Sequence, residues 1–338
     1  MTTMPAEWQP HERTWMAFPP SGPVTEDLDA AGLAQVRAAW VAVANAIVKF
    51  EPVTIVVDPA DVTLAAKLLD EQIDVLPAHL DDAWMRDMGP TFVKDHAGEL
   101  VAVDWIFNGW GAQAWARWEN DSQVAHLVAQ TAQVPVDASS MVNEGGGIHV
   151  NGEGTVLVTR TVQLDPGRNP DWTQEQVEAE LKSKLGVRQV VWVERGLTRD
   201  YDDFGTRGHI DIVASFASPD TILFHEQLNP EHPDFLVSKK VRETLAAAGS
   251  WRLVGVPAPE VLRDDEGWVD YSYINHYVCN GAVILCAFDD PGDTRAAAIL
   301  QEAYPDREIV LVDARVIFAR GGGIHCITQQ QPAVATRK

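Results

Sequence analysis

The 338-residue chain is 46 % hydrophobic, enough to bury a large core, and sets 26 basic against 49 acidic side chains for a formal net charge of −23. That surplus of carboxylates repels nucleic acid and anionic lipid and draws small cations toward any cleft, so a small cationic molecule is the expected partner, and nucleic acid and membrane are not. Three cysteines, Cys279, Cys286 and Cys326, are too few for a disulfide framework or a Cys-rich zinc site.

The N-terminal MTTMPAEWQPHERTW lacks a basic stretch leading into an apolar one. No run reaches the roughly 20 apolar residues of a membrane helix, so a reducing, cytoplasmic setting is expected. Residues 29–49 place Leu33, Val36, Trp40, Val43 and Ile47 at helical spacing. VTIVVD at 53–58 then reads as a buried strand. The pattern recurs: helices are predicted at about 60–70, about 120–132, 173–186, 233–249 and 293–305. Each precedes a strand-like segment, at 72–78, 134–142, 189–195, 252–259 and 308–314 respectively. Further strand-like stretches, LVAVDWIF, GTVLVT, DTILFHE and GAVILCAF, lie between these units. Such alternation is the mark of the α/β class. With no low-complexity linker or charge block, residues 1–338 read as a single domain.

The phrase GGGIH occurs twice, at 145–149 and 321–325. Polar phrases also follow the strands at Asp87, Glu144, His209, the Asn280-Gly281 turn and Cys326, at intervals of 57, 65, 71 and 46 residues. A period of that size points to an internal repeat that closes on itself, each unit bringing one polar residue to a common axis. Glycines after a strand permit positive φ or close approach of backbone to a ligand. Both copies need that geometry, but only the second leads into a thiol.

Cys326, after His325 and before a polar run, is the first candidate for chemistry, since a thiolate is the reactive form; the alternative is a buried structural thiol. Cys279 and Cys286 sit in apolar YVCNGAVILCAF and read as structural. His209 and Asp211 in GHID would point the same way from a strand. His-x-Asp also occurs in metal sites, but no further ligand motif accompanies it, so a hydrogen-bonded core pair is the other reading. Asp87 beside Arg86 could be a structural ion pair or a turn carboxylate, and Glu144 a turn or cap residue. Of Trp84, Trp105, Trp110, Trp115 and Trp118, most should be core, with one or two walling a pocket for an alkyl chain or a cation. Phosphate-loop and dinucleotide motifs are absent. A Cys–His pair implies covalent attack on an electrophilic carbon, and paired carboxylates imply that this carbon belongs to a cation. A guanidinium satisfies both.

MPAEWQPHERTWMAFP, WMRDMGP, DWIFNGWG, EGGGIHV, GHID and GGGIHCITQQQP, in that order, resemble the agmatine deiminase branch of the guanidino-group-modifying superfamily along almost the whole chain. The resemblance implies an α/β fold of the five-bladed ββαβ propeller type with pseudo-fivefold symmetry, its site on the axis. It implies Cys326 as nucleophile, His209 as general acid/base, Asp87 and Asp211 as the clamp on the guanidinium, and Glu144 orienting the histidine and a guanidinium nitrogen. Trp84 would line the substrate channel, with Gly323 also at the substrate. The implied reaction converts agmatine to N-carbamoylputrescine and ammonia through a Cys-thiouronium, in polyamine metabolism, with no metal or organic cofactor; a homodimer or higher homo-oligomer fits the same picture. Deimination of arginine or peptidyl-arginine is an alternative, with Arg207 as partner for a carboxylate. A non-catalytic polyamine- or guanidine-binding protein, and a metal hydrolase using His209 and Asp211, are the others. Gly147 and Gly323 stand where the family usually has Asn or Ser. Gly205 replaces an acidic residue four before the histidine, with Asp202 and Asp203 further back, and Ile212 replaces an Asn. The contacts to a distal amine are left open.

Overall fold

Four consecutive stretches of the chain repeat one motif: an antiparallel strand pair, a helix, and a third strand parallel to the second. A computed structural model describes residues 2–334. The first unit runs Thr91–Lys94, Leu100–Ile106, helix Val124–Thr131 and Val136–Val142; the second Ile148–Val150, Thr155–Thr159, helix Gln174–Leu185 and Gln189–Val193. The third runs Ala214–Ser218, Thr221–Glu226, helix Asp234–Ala248 and Arg252–Pro257; the fourth Tyr277–Cys279, Ala282–Ala287, helix Gly292–Ala303 and Glu308–Asp313. A fifth unit joins the two ends of the chain. Thr328–Pro332 pairs antiparallel with His11–Ala17, which is followed by helix Ala30–Ile47 and the parallel strand Val53–Val57. Helix Val62–Leu68 and strand Asp74–Pro77 extend that sheet by one strand.

Local chemistry accounts for these elements. The middle strands are β-branched and buried on both faces, as in VTIVV and TVLVT, the pattern expected where helices cover a parallel pair. Asp29 caps the helix Ala30–Ile47 by accepting from Gly32 N–H at 2.7 Å. Thr173 and Gln176 form a reciprocal capping box at Gln174–Leu185, which Gly186 ends in the left-handed region at φ 69°. Trp15 Nε1 donates to Gln331 Oε1 at 2.9 Å, locking the strand pair that joins the two ends. Three apolar clusters fill the spaces between sheets and helices.

All twelve strand-like and helical segments of the repeated pattern form close to their expected bounds. The short opening strands Thr91–Lys94 and Ile148–Val150 were not anticipated, Tyr277–Cys279 forms as the strand-like YVCNGAVILCAF suggests, and the strand expected around His209 and Asp211 begins only at Ala214. Ile210–Ile212 is a 3₁₀ turn with His209 in front of it. The helix Ala30–Ile47 also corrects an expectation, since by length and composition it could cross a membrane. It is instead half buried within the fold, through Val36, Trp40, Val43, Ala44 and Ile47 among others.

Candidate active site

Each unit opens with a turn just before its first strand, and these turns carry the polar residues that meet. Asp87 lies on the helical turn Met85–Met88 ahead of Thr91–Lys94. Glu144 precedes the 3₁₀ turn Gly145–Gly147, and Cys326 stands two residues before Thr328–Pro332. His209 and Asp211 flank Ile210 ahead of Ala214–Ser218, so the turn brings to one side the pair expected from a strand. All five side chains are at least 95 % buried.

Gly146 marks the centre. A Cβ there would lie 3.0 Å from both Asp211 Oδ2 and Asp87 Oδ1 and clash with His209 Nδ1, so three functional groups surround one glycine. Asp87 Oδ1 accepts from Gly146 N–H at 3.1 Å, and its Oδ2 from Trp110 Nε1–H at 2.9 Å. Trp110 is held at φ 56°, a conformation that costs about 1–3 kcal/mol for a bulky side chain and clusters at functional sites. His209 Nε2 donates to Glu144 Oε2 at 3.2 Å, while its Nδ1 stands 3.8 Å from Asp87 Oδ1 with no hydrogen-bond partner among the described residues. Cys326 Sγ lies 3.5 Å from Asp211 Oδ2 and 3.2 Å from Asn275 Nδ2. Gly322 separates the sulfur from Trp84; a Cβ on it would come within 2.9 Å of Sγ and 2.8 Å of the indole. Gly323 packs instead against Asn275 and Phe318.

The electrostatics follow from this burial. Burial opposes ionisation of Glu144, but the Arg168 guanidinium, then the His209 hydrogen bond, bring its pKa down to about 2. Arg168 Nε is 3.0 Å from both Glu144 oxygens, Nη1 donates to Asp165 and Nη2 to the Thr206 carbonyl. Burial would lower His209, yet the charge of Asp87, with the bond and charge of Glu144, raises it to about 9. Asp87 is pushed up to about 6 by burial, and Glu144 and Asp211 outweigh part of the relief from His209. Asp211 is lowered despite burial, chiefly by its bond to His325. Burial, then the charges of Asp211 and Asp87, hold the Cys326 thiol well above its ordinary value. The pocket is thus poised for a cation, which would offset those two carboxylates.

A cavity of about 590 Å³ lies beside the site, its lining including Asp200, Asp202, Asp203, Asp270, Phe204 and Arg320. Phe204 and Arg320 also border a smaller recess with Trp84 and Trp40. Arg320 is not free, since it pairs with Asp27 while lying over the Phe204 ring.

Several residues escaped sequence reasoning. The fourth unit contributes Asn275, not the Asn280-Gly281 turn. Asn280 sits at the far end of its hairpin, bonded to His11 and Glu51, and Asn275 precedes that hairpin's first strand. Asp200, buried ahead of Gly205, accepts from the Thr206, Gly208 and His209 N–H groups and so fixes the turn that carries His209. Arg168 and Glu7 gave no signal beyond their residue type, Trp110 stood out only as one of five tryptophans expected to include a pocket wall, and His325 only as the end of the repeated phrase before Cys326. Ligand-capable atoms of Glu7, His149 and His325 lie within 4.8 Å of one another, but hydrogen bonds already commit them. Both His325 nitrogens meet carboxylates at 2.8 Å, and His149 Nδ1 accepts from Phe216 N–H.

The chain is similar to known proteins along almost its whole length. A protein of Streptomyces coelicolor is 57 % identical over 335 residues, spanning 97 % of this chain and 98 % of its own. The agmatine deiminase of Ectopseudomonas mendocina is 37 % identical over 98 % of this chain and 95 % of its own. The solved agmatine deiminase of Enterococcus faecalis superposes with a TM-score of 0.90 at 30 % identity, covering 98 % of this chain and 96 % of that one, which places this chain in the same α/β fold. The family model of Porphyromonas-type peptidyl-arginine deiminases matches residues 3–332, so from its first sheet to its last strand the chain belongs to that family.

Proposed function

We propose that the protein hydrolyses the guanidinium group of agmatine, giving N-carbamoylputrescine and ammonia. The observation that carries this reading is a pair of buried polar atoms without partners, His209 Nδ1 and Asp211 Oδ1, beside a sulfur 3.5 Å from the same aspartate. A planar cation supplies an N–H donor for Asp211 Oδ1, a charge to offset Asp87 and a carbon for Cys326, and its departing nitrogen is the group that takes the proton from His209.

The steps then balance. Substrate charge offsets Asp87 and Asp211, so Cys326 gives up its proton, which passes to solvent, only when the cation is bound. The thiolate attacks the central carbon. His209, protonated at neutral pH, gives its proton to the departing nitrogen; the C–N bond breaks, ammonia leaves, and a thiouronium stays on sulfur. His209, now neutral, takes a proton from water as it attacks that carbon; collapse then breaks the C–S bond, the new hydroxyl passing its proton to the departing sulfur, so the neutral ureido product leaves and the Cys326 thiol is restored. Glu144, held ionised by Arg168, keeps the imidazole oriented throughout. Every step is carried by side chains.

Agmatine is favoured over arginine by charge. Free arginine needs a cation for its carboxylate, and Arg207, the residue once conceivable for that task, is bound 3.2 Å from both oxygens of Asp165. The acidic cavity suits a distal ammonium, with Trp84 beside the sulfur as channel wall and Gly323 shaping the turn behind it. The relatives named agmatine deiminases add weight to the same choice. We extend the proposal to architecture: the five similar units are blades about one axis, forming a single domain over 1–338, in a cytoplasmic protein that acts on a small cation and forms a homodimer or higher homo-oligomer.

Rates on agmatine, arginine and blocked arginine decide the substrate. Turnover of agmatine well above the others, lost in Cys326→Ala, is expected; equal or faster turnover of arginine would overturn the assignment.

A further inference from the structure

Two histidines, one from each GGGIH phrase, converge on a single buried carboxylate behind the reacting groups. Glu7 Oε1 meets His325 Nε2 at 2.8 Å, and Glu7 Oε2 lies 3.6 Å from His149 Nε2. On its other side His325 Nδ1 meets Asp211 Oδ2 at 2.8 Å. A ring with carboxylates at both nitrogens donates from both, and is therefore an imidazolium. His149 differs, because its Nδ1 accepts from Phe216 N–H at 3.2 Å and so bears no proton. The two copies of the phrase thus hold the same residue in different states.

We propose that His325, gripped from behind by Glu7, is a positioning residue that fixes the orientation of Asp211 for the deimination proposed above. One oxygen of Asp211 is committed to His325; the other, Oδ1, has no hydrogen-bond partner among the described residues. Rotation of the carboxylate would lose the charged bond, so Oδ2 stays beside the Cys326 sulfur and the centre that Gly146 marks, and Oδ1 keeps one fixed direction. The same imidazolium shares Oδ2 with the Cys326 sulfur, 3.5 Å away. The main chain is braced as well: His325 N–H donates to Asn275 Oδ1 at 3.0 Å, and Arg86 Nε to the His325 carbonyl at 3.3 Å.

The groups facing His325 support its charge. Glu7 and Asp211 raise its affinity for the proton, against burial and the Arg86 guanidinium, which lies 3.6 Å from Glu7. His276 nearby is lowered to about 4, principally by burial, and is neutral. His149 is neutral by its hydrogen bonds, and Cys326 is the remaining neighbour. Removing Glu7's charge therefore weakens the hold on the proton while leaving the ring in place.

The test follows agmatine turnover against pH for the wild type, Glu7→Gln, His325→Gln and His325→Leu, with melting temperature as the check on folding. Glu7→Gln should lose at least about tenfold in kcat/KM and shift the basic limb toward lower pH by about one unit, since His325 now releases its proton sooner. His325→Gln, which keeps a neutral donor to Asp211, should retain about tenfold more activity than His325→Leu. A folded Glu7→Gln whose basic limb matches the wild type overturns the inference, as do equal losses in the two His325 variants. If His325→Leu does not fold, the Glu7→Gln profile decides alone. A wild type that does not turn over agmatine overturns the proposed function instead, so the two failures are told apart.

Discussion

Glu144 is the residue whose state depends most on a single neighbour. Both of its oxygens meet Arg168 Nε, with neither side chain exposed. Breaking a buried pair strands a charge, at a cost of about 3–5 kcal/mol. Arg168→Met should therefore lower the melting temperature clearly and raise the acid limb of kcat/KM, because Glu144 no longer stays ionised down to about pH 2. A variant with wild-type stability and acid limb would show that Glu144 needs no such partner. At this scale the sequence displayed Cys326, His209, Asp211, Asp87 and Glu144 in recognisable phrases. It hid Arg168 and Asn275, which touch the same groups through contacts far apart in the chain. Nothing in their flanking residues differs from ordinary loop sequence.

The elements owe their bounds to caps and to the burial of middle strands. At Gln174–Leu185 the Thr173 hydroxyl accepts from Gln176 N–H and the Gln176 amide returns to Thr173 N–H. Thr173→Ala should cost about 1 kcal/mol in denaturant unfolding, with activity retained; no change would mean that tertiary packing alone sets this terminus. Helices and middle strands were legible because each carries a period or a β-branched run. The opening strands Thr91–Lys94 and Ile148–Val150 were not. Ile148–Val150 has three residues, too few for an alternation to register. The turn at Ile210–Ile212 likewise reads as a strand from its apolar residues, and only its tertiary position reveals a 3₁₀ turn that aims His209 and Asp211 together.

For the whole molecule, charge governs both stability and capture of substrate. Burial lifts Asp87 and Asp82 to about 6 from an ordinary 3.8, so the folded state binds the extra protons and stability rises as pH falls through 6. Glu144, Glu7 and Glu51 are held below their ordinary 4.5, so the unfolded state takes the protons there and stability falls below about pH 4.5. The melting temperature of the free protein should peak near pH 5; a maximum at pH 8 would contradict this balance. A net charge of −23 with an acidic cavity beside the site should also speed encounter with a dication. Raising salt from 0.05 to about 0.5 M should then lower kcat/KM severalfold with kcat little changed. A salt-independent kcat/KM would remove long-range attraction from the account.

The central claim, covalent capture of a guanidinium carbon by Cys326, is tested most directly by acid-quenching the enzyme during agmatine turnover and mapping adducts by mass spectrometry. The account predicts a thiouronium-bearing peptide at Cys326 that grows in before product and disappears as substrate is consumed. Turnover with Cys326 unmodified throughout, or with the adduct on Cys279 or Cys286, would contradict it.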